Sequence, residues 1–300
     1  MNIILTGASG FVGQNLSSYL QTNGHNVRRI SLRKSNWTNE FNISFDCLIH
    51  LAGKAHDTSN TSDPKEYFKV NRDLTIELFQ KFIVSNSKDF FYFSSVKAAA
   101  DSIVGVLNED FQPEPLTPYG QSKLEAERYL LSQTLPQYKR LFIIRPCMIH
   151  GPGNKGNLNL LYNLVKKGIP WPLGKFENKR SFLSIDNLNF LIKEMLLNDQ
   201  LKSGIYNFAD EDPISTNDLV KIISSTLGKK SNVLHINKNL IENIAKIGDT
   251  FSLPLNSERL KKLTESYVVS NQKIKRELKI SRLPVTVEEG LKKTIESFNS

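Results

Sequence analysis

The stretch "NIILTGASGFVGQNL" places Gly7, Gly10 and Gly13 between an apolar, strand-like run and a helical one. Glycines spaced G-x-x-G-x-x-G at such a turn let the backbone approach a pyrophosphate, and the helix N-terminus adds free N–H groups and a partial positive charge. The plain alternative is a tight structural turn. Context favours the dinucleotide reading, because the turn follows a strand, opens a helix and begins an alternating β/α run.

That run continues through the first half. "NVRRISL", "FDCLIHLAG", "DFFYFSS" and "RLFIIRP" read as strands. Between them "GFVGQNLSSYLQTNG", "DPKEYFKVNRDLTIELFQKFIVSNS" and "YGQSKLEAERYLLSQ" read as helices, the first ending at Gly24 and the second with Pro64 in its first turn. The stretch from Leu32 to Asp46 holds too short a pattern for a full strand. Alternating strands and helices imply parallel pairing with right-handed crossovers, hence an α/β, Rossmann-type doubly wound sheet. After "HGPGNKGN" helices dominate, with brief strand candidates at "RSFLSI" and "GIYNFA". "STNDLVKIISSTLG" reads as a helix with Ser215 as N-cap and Gly228 as stop. The expected division is a dinucleotide-binding domain over 1–150 and a smaller, mostly helical substrate domain over 151–300, with 184–208 able to return to the first. The cleft between them is the default ligand site.

Charge and cysteine content narrow the function classes. The net charge of +9 is uneven: residues 1–150 carry 16 basic and 14 acidic groups, residues 151–300 carry 23 and 16. The basic residues are scattered as short pairs such as Lys229–Lys230, without an aromatic-studded stripe, so a solvated surface or an anionic small substrate is expected ahead of nucleic acid. Cys47 and Cys147 lie in apolar segments with no CxxC partner and no His/Cys cluster, which reads as buried reduced thiols and no metal site. No apolar run approaches the roughly 20 residues of a membrane span. "MNIILTG" starts a strand-like run at once, so a cytoplasmic location is expected.

Two Tyr/Lys pairs share one spacing: Tyr119 with Lys123, and Tyr162 with Lys166. Residues four apart on a helix share a face. A tyrosine has a pKa of about 10. An adjacent ammonium favours the phenolate and readies it for proton transfer near neutral pH. Spacing alone does not choose between the pairs. Leu158, Leu161, Tyr162 and Val165 form one apolar stripe, however, which marks Tyr162 as a core residue.

The motifs "TGASGFVG", "HLAG" (50–53), "VN" (70–71), "FSS" (93–95), "YGQSK" (119–123), "RP" and "GPG" (145–146, 151–153) and "RSFLSIDN" (180–187) together resemble the extended short-chain dehydrogenases/reductases, the NAD-dependent epimerase/dehydratase type. The chain looks closest there to bacterial UDP-sugar 4-epimerase-like and 4-ketoreductase-like enzymes. The motifs run in the family's order over residues 6–187, and the last third matches loosely. The resemblance assigns Ser95, Tyr119 and Lys123 as catalytic, choosing Ser95 over Ser94 by pattern. It implies cofactor contacts from Gly7, Ser9, Gly10, Phe11, Val12, Gly13, Leu51, Ala52, Gly53, Asn71, Tyr119, Lys123 and Pro146. Substrate contacts are implied for Ser95, Lys97, Asn157 and Arg180, with Arg180 on the diphosphate. A homodimer is compatible with it.

Departures from the family refine the expectation. Its 4,6-dehydratases carry an acidic pair after the serine strand. This chain offers Val96 and Lys97, so dehydration is not expected. Where many members read R-P-x-N-x-Y-G-P, this chain reads "RPCMIHGP", with Met148 and His150 at the changed positions. His150 reads as a hydrogen-bonded structural histidine rather than a base. NAD-preferring members end the second strand in an acid, whereas here Ser31, Leu32, Arg33 and Lys34 follow, and Arg33 suits the 2′-phosphate of NADP. NADP(H) is therefore favoured, with NAD(H) as the other option. The favoured reaction is NADPH-dependent reduction of a UDP-4-keto-6-deoxysugar for bacterial surface polysaccharide. The alternatives are a UDP-sugar 4-epimerase with tightly bound NAD and a non-catalytic NADP-binding regulator.

Overall fold

Strands buried on both faces read as unbroken apolar runs, and those at a sheet edge do not. β1 (Asn2–Thr6) is buried from its second residue onward. After α1 (Phe11–Thr22), β2 (Asn26–Ile30) keeps Arg28 and Arg29 exposed. β3 (Cys47–His50) and β4 (Asp89–Phe93) are buried throughout. So is β6 (Arg140–Pro146), which follows a short β5 (Val106–Leu107) and α4 (Pro118–Ser132). A computed structural model describes residues 1–298 apart from 42–43, 55–62, 155 and 252–255.

Between β3 and β4 runs one helical rod made of α2 (Pro64–Tyr67), a π-helical turn (Phe68–Asp73) and α3 (Leu74–Val84). Asp63 caps it through a bond from the Lys65 N–H, with Pro64 at the first helical position. The second half adds β7 (Met148–His150), α5 (Asn157–Lys166), β8 (Phe182–Ser184), α6 (Ile185–Leu197) and β9 (Gly204–Phe208). It ends with α7 (Thr216–Thr226), α8 (Lys238–Phe251), α9 (Ser257–Thr264), β10 (Val268–Val269), α10 (Gln272–Leu278) and α11 (Val287–Glu296). Ser215 caps α7, and Gly228 follows it at φ 66°, in the left-handed region that stops helices.

The main sheet is wholly parallel, in the order β2-β1-β3-β4-β6-β9. The "GIYNFA" candidate is thus a strand of this sheet: β9 pairs with β6, Arg145 beside Asn207. The described part of the stretch from Leu32 to Asp46 holds a 3₁₀ turn (Trp37–Phe41) and no strand, which leaves β2 at the edge.

Alternation along each strand divides the core. Ile3, Leu5, Ile49, Phe91 and Ile144 face α1 and α6 through Leu16, Leu20, Leu188 and Leu191. Ile4, Leu48, Phe90, Tyr92 and Ile143 face α3 and α4 through Phe79, Phe82, Ala126 and Leu130. A third cluster joins α5, α7, α8 and α11, and holds Tyr162 at 3% exposure. Cys47 and Cys147 are free and buried, and burial pushes both thiols well above their ordinary pKa.

Candidate active site

The glycine turn is shaped by its neighbours. Gly7 has φ 71°, and a Cβ there would stand 2.5 Å from the Ala52 nitrogen and 2.6 Å from the Leu51 carbonyl carbon. A Cβ on Gly13 would stand 2.3 Å from the Gly7 oxygen. All three distances are impossible for a real side chain, so the turn, the start of α1 and the exit of β3 form one backbone-lined cradle. Gly10 caps α1 without a side chain, and Ser9 and Gly10 are exposed. First-turn N–H groups of α1 are thus open to an anion. Phe11 and Val12 begin the helix, half-buried.

The cradle continues through Leu51, Ala52 and Gly53 to the centre of the molecule. A Cβ on Gly53 would stand 2.9 Å from Asn71 Oδ1 and 3.2 Å from Lys123 Nζ. Asn71 is fully buried in the π-helical turn. Its amide donates to Lys54 O and Ser122 Oγ, each at 3.1 Å, and accepts from Lys54 N at 2.8 Å. Such a turn shifts the helical register by one residue and often marks a functional position. Beneath it, Thr6 Oγ1 lies 2.7 Å from His50 Nδ1, and His50 Nε2 lies 2.9 Å from Thr75 Oγ1. Burial lowers the His50 pKa to about 3, so the ring is neutral. The cradle fits a dinucleotide: its backbone N–H groups are exposed at Ser9 and Gly10, and it is closed to a side chain at Gly7, Gly13 and Gly53.

The candidate catalytic residues converge at its far end. Thr117 caps α4 through a bond from the Gly120 N–H, with Pro118 at the first helical position. Tyr119 and Lys123 then share one face. Lys123 Nζ donates to Phe93 O at 2.9 Å and stands 5.0 Å from the Tyr92 ring centroid. Burial lowers its pKa to about 8, against an opposing pull from Glu127. The Ser95 side chain acts on the Tyr119 hydroxyl in the direction that favours the phenolate, and the Tyr119 ring meets Tyr67 edge-on at 6.1 Å. Tyr119 is half-buried, and desolvation raises its pKa against the opposing effect of Ser95. Lowering it is therefore not the work of the surrounding side chains alone.

Ser94 and Ser95 are separated by the structure. Ser94 Oγ donates to Glu127 Oε1, and Glu127 is paired with Arg145, both 1% exposed as side chains. Glu127 follows Lys123 by one helical turn, a spacing that was legible in "KLEAE".

Of the residues expected on the substrate side, Lys97 donates from Nζ to Asp101 O at 2.6 Å and stands 4.4 Å from the centroid of the Tyr267 ring. Arg180, half-buried, donates from Nη1 to Lys262 O at 2.7 Å and bridges backbone to Ile214 and Tyr267. Burial lowers the pKa of both, and Arg180 is among the charges pressing on Lys97. Tyr267 was missed by sequence reasoning. Its hydroxyl donates to Ala100 O at 2.7 Å and Val96 O at 3.1 Å, so the C-terminal third holds the turn that follows Ser95. Asn157 heads α5, with its side chain outside the described residues. Pro146 ends β6, and Arg33 is exposed beyond β2. His150 bonds Thr294 Oγ1 at 2.9 Å and is 1% exposed, while Met148 is exposed.

Comparison with known proteins gives one family and several relatives. The model described as the NAD dependent epimerase/dehydratase family matches residues 3–209. A UDP-glucose 4-epimerase of Vibrio cholerae is 29% identical over 99% of this chain and 95% of its own length. Among solved structures, MoeE5 in complex with UDP-glucuronic acid and NAD superposes with a TM-score of 0.78 at 20% identity, over 100% of this chain and 99% of its own. RMD from Pseudomonas aeruginosa complexed with NADPH has a TM-score of 0.78 at 19% identity, over the whole of both chains. At those identities the structural likeness is one of fold.

Proposed function

The chain belongs to the NAD dependent epimerase/dehydratase family, and from that premise we propose that it is an NAD(P)-dependent oxidoreductase acting at C4 of a nucleotide-linked sugar. The observation that carries this reading is the convergence of Ser95, Tyr119 and Lys123 at the end of a backbone-lined cradle. Gly7, Gly10 and Gly13 would hold the pyrophosphate, and Lys123 and Asn71 would line the nicotinamide end. Bound there, the cofactor supplies hydride exchange with the sugar carbon.

The protein handles the proton. Tyr119 gives its hydroxyl proton to the C4 oxygen when a ketone is reduced and takes it back when an alcohol is oxidised. Ser95, which acts on that hydroxyl, would hold the same oxygen in line. Lys123 carries its charge beside the site, fixed by the Phe93 carbonyl.

For the direction of reaction, Arg33 and the missing acid beyond β2 support NADPH-dependent reduction of a UDP-4-keto-6-deoxysugar. Glu40 is the one carboxylate from Ser31 to Phe41, and it pairs with Arg28 at 3.5 Å and Lys34 at 3.6 Å. Val96 and Lys97 in place of dehydratase acids agree with that choice. A second reading, 4-epimerisation with retained NAD, is favoured by the Vibrio cholerae relative, which matches nearly end to end.

The test is to identify the nucleotide released on denaturing the purified protein, then to follow NADPH oxidation with 4-keto UDP-sugars. Reduction predicts NADPH consumption, and Arg33→Ala should raise KM for NADPH about tenfold or more, as a lost charged hydrogen bond of 1.5–3 kcal/mol does, with little effect on NADH. Retained NAD and interconversion of UDP-glucose and UDP-galactose without added reductant would establish the epimerase instead.

A further inference from the structure

Ser95 and Tyr119 stand on separate segments, and a chain of contacts through Asp101 fixes one against the other. Ser95 Oγ accepts from the Lys97 N–H at 3.2 Å. The Lys97 ammonium donates to the Asp101 carbonyl at 2.6 Å. The Asp101 carboxylate then crosses to the start of α4. Its Oδ2 accepts from the Leu116 N–H at 2.6 Å and the Thr117 N–H at 3.1 Å, and its Oδ1 accepts from the Thr117 hydroxyl at 3.0 Å. Thr117 is the N-cap of α4, and Tyr119 lies in the first turn that follows.

Packing closes the same joint. A Cβ on Gly120 would stand 2.4 Å from Lys97 O and 2.8 Å from Pro115 Cβ, so the first turn of α4 lies directly on the turn after Ser95. Ala99 O accepts from the Glu114 N–H at 2.8 Å. From the other side the Tyr267 hydroxyl holds Val96 O and Ala100 O. Asp101 is half-buried, and its bonds to the start of α4 are charge-assisted, which makes them stronger than neutral ones.

We propose that Asp101 is a positioning residue for the reaction: its carboxylate latches the start of α4 to the turn after Ser95 and so sets where the Tyr119 hydroxyl stands against Ser95. The inference rests on the roles proposed above for Ser95 and Tyr119, and it holds for reduction and for epimerisation alike. Without the carboxylate, the Leu116 and Thr117 N–H groups turn to water, and the first turn of α4 loses its fixed place. Proton transfer is sensitive to such a loss, since a displacement of about 1 Å can cost about 10²-fold in rate. Lys123 and Asn71 are held by other partners, the Phe93 carbonyl and Lys54. The cofactor end of the site therefore keeps its geometry when the latch is cut.

The experiment measures kcat and KM in the NADPH-oxidation and epimerase assays, with cofactor Kd by fluorescence titration and thermal unfolding on the same samples. Asp101→Ala should lower kcat about 10²-fold and leave cofactor Kd unchanged. Asp101→Asn should stay close to wild type, because its amide oxygen can accept from both N–H groups and its amide nitrogen can donate to the Thr117 oxygen. Ser87→Ala is the control. It removes the bond from Ser87 Oγ to Asp46 O at 2.9 Å, before β4 begins and at the opposite end of that strand from Ser95, and should lower stability with kcat intact. Wild-type kcat in Asp101→Ala overturns the proposal. So does an Asp101→Asn variant as slow as Asp101→Ala, which would assign the effect to charge, or an equally slow Ser87→Ala, which would assign it to lost stability. Should Asp101→Ala not fold, Thr117→Val cuts the latch from the α4 side, and an unchanged kcat there overturns the proposal. Those results strike this inference alone, whereas a wild-type protein inactive in both assays overturns the reading of the site and this inference with it.

Discussion

Ser94 and Ser95 leave the end of β4 toward different partners. Ser94 Oγ donates to Glu127 in the buried Glu127–Arg145 pair, and Ser95 acts on the Tyr119 hydroxyl. One serine thus fastens α4 to the sheet, and its neighbour faces the reacting side. Ser95→Ala should lower kcat at a stability cost of about 1 kcal/mol, since its Oγ also accepts from the Lys97 N–H at 3.2 Å. Ser94→Ala should cost about 1–3 kcal/mol of stability, the penalty for a buried carboxylate losing a donor. Urea unfolding and turnover measured on the same samples separate the two, and equal effects would refute the division of roles.

Tyr119 and Tyr162 provide an internal control. Tyr162 is a core residue whose ring meets Phe298 edge-on at 5.2 Å. Tyr119→Phe should lower turnover by about 10²–10⁴-fold, the range for a lost general acid–base group. Tyr162→Phe should leave turnover nearly intact. Similar turnover in both variants would remove Tyr119 from proton transfer.

Arg180 sits between the C-terminal third and the turn carrying Lys97. Arg180→Ala should raise KM for the nucleotide sugar about tenfold, in line with a charged hydrogen bond of 1.5–3 kcal/mol, while cofactor affinity stays unchanged. Weakened NADPH binding with an unaltered sugar KM would place this arginine on the cofactor side.

His50 makes stability depend on pH. Its folded pKa, about 3, lies below the ordinary value of 6.5, so between those values the unfolded chain binds more protons. Stability from the neutral ring is then complete above pH 6.5 and lost as pH falls toward 3. The full difference corresponds to about 5 kcal/mol. His50→Gln, which keeps a donor and an acceptor, should flatten this acid limb in urea titrations between about pH 7 and about pH 4. An unchanged slope would mean that other groups set it.

Patterns confined to a few neighbouring residues were legible in the sequence. The β/α alternation determined the parallel sheet, and the glycine spacing located the cradle. The i, i+4 offset put Tyr119 and Lys123 on one helical face, because helix periodicity is a local property of the backbone. Contacts between distant segments were decided by tertiary structure. A Cβ is excluded at Gly7 by Ala52, 45 positions away in the chain. The Lys123 ammonium is held by a carbonyl on β4. Tyr267 reaches back to the turn after Ser95. The rise in the Tyr119 pKa was equally hidden, since desolvation depends on everything packed around the hydroxyl. Local spacing says which residues point the same way, and only packing says what they meet there.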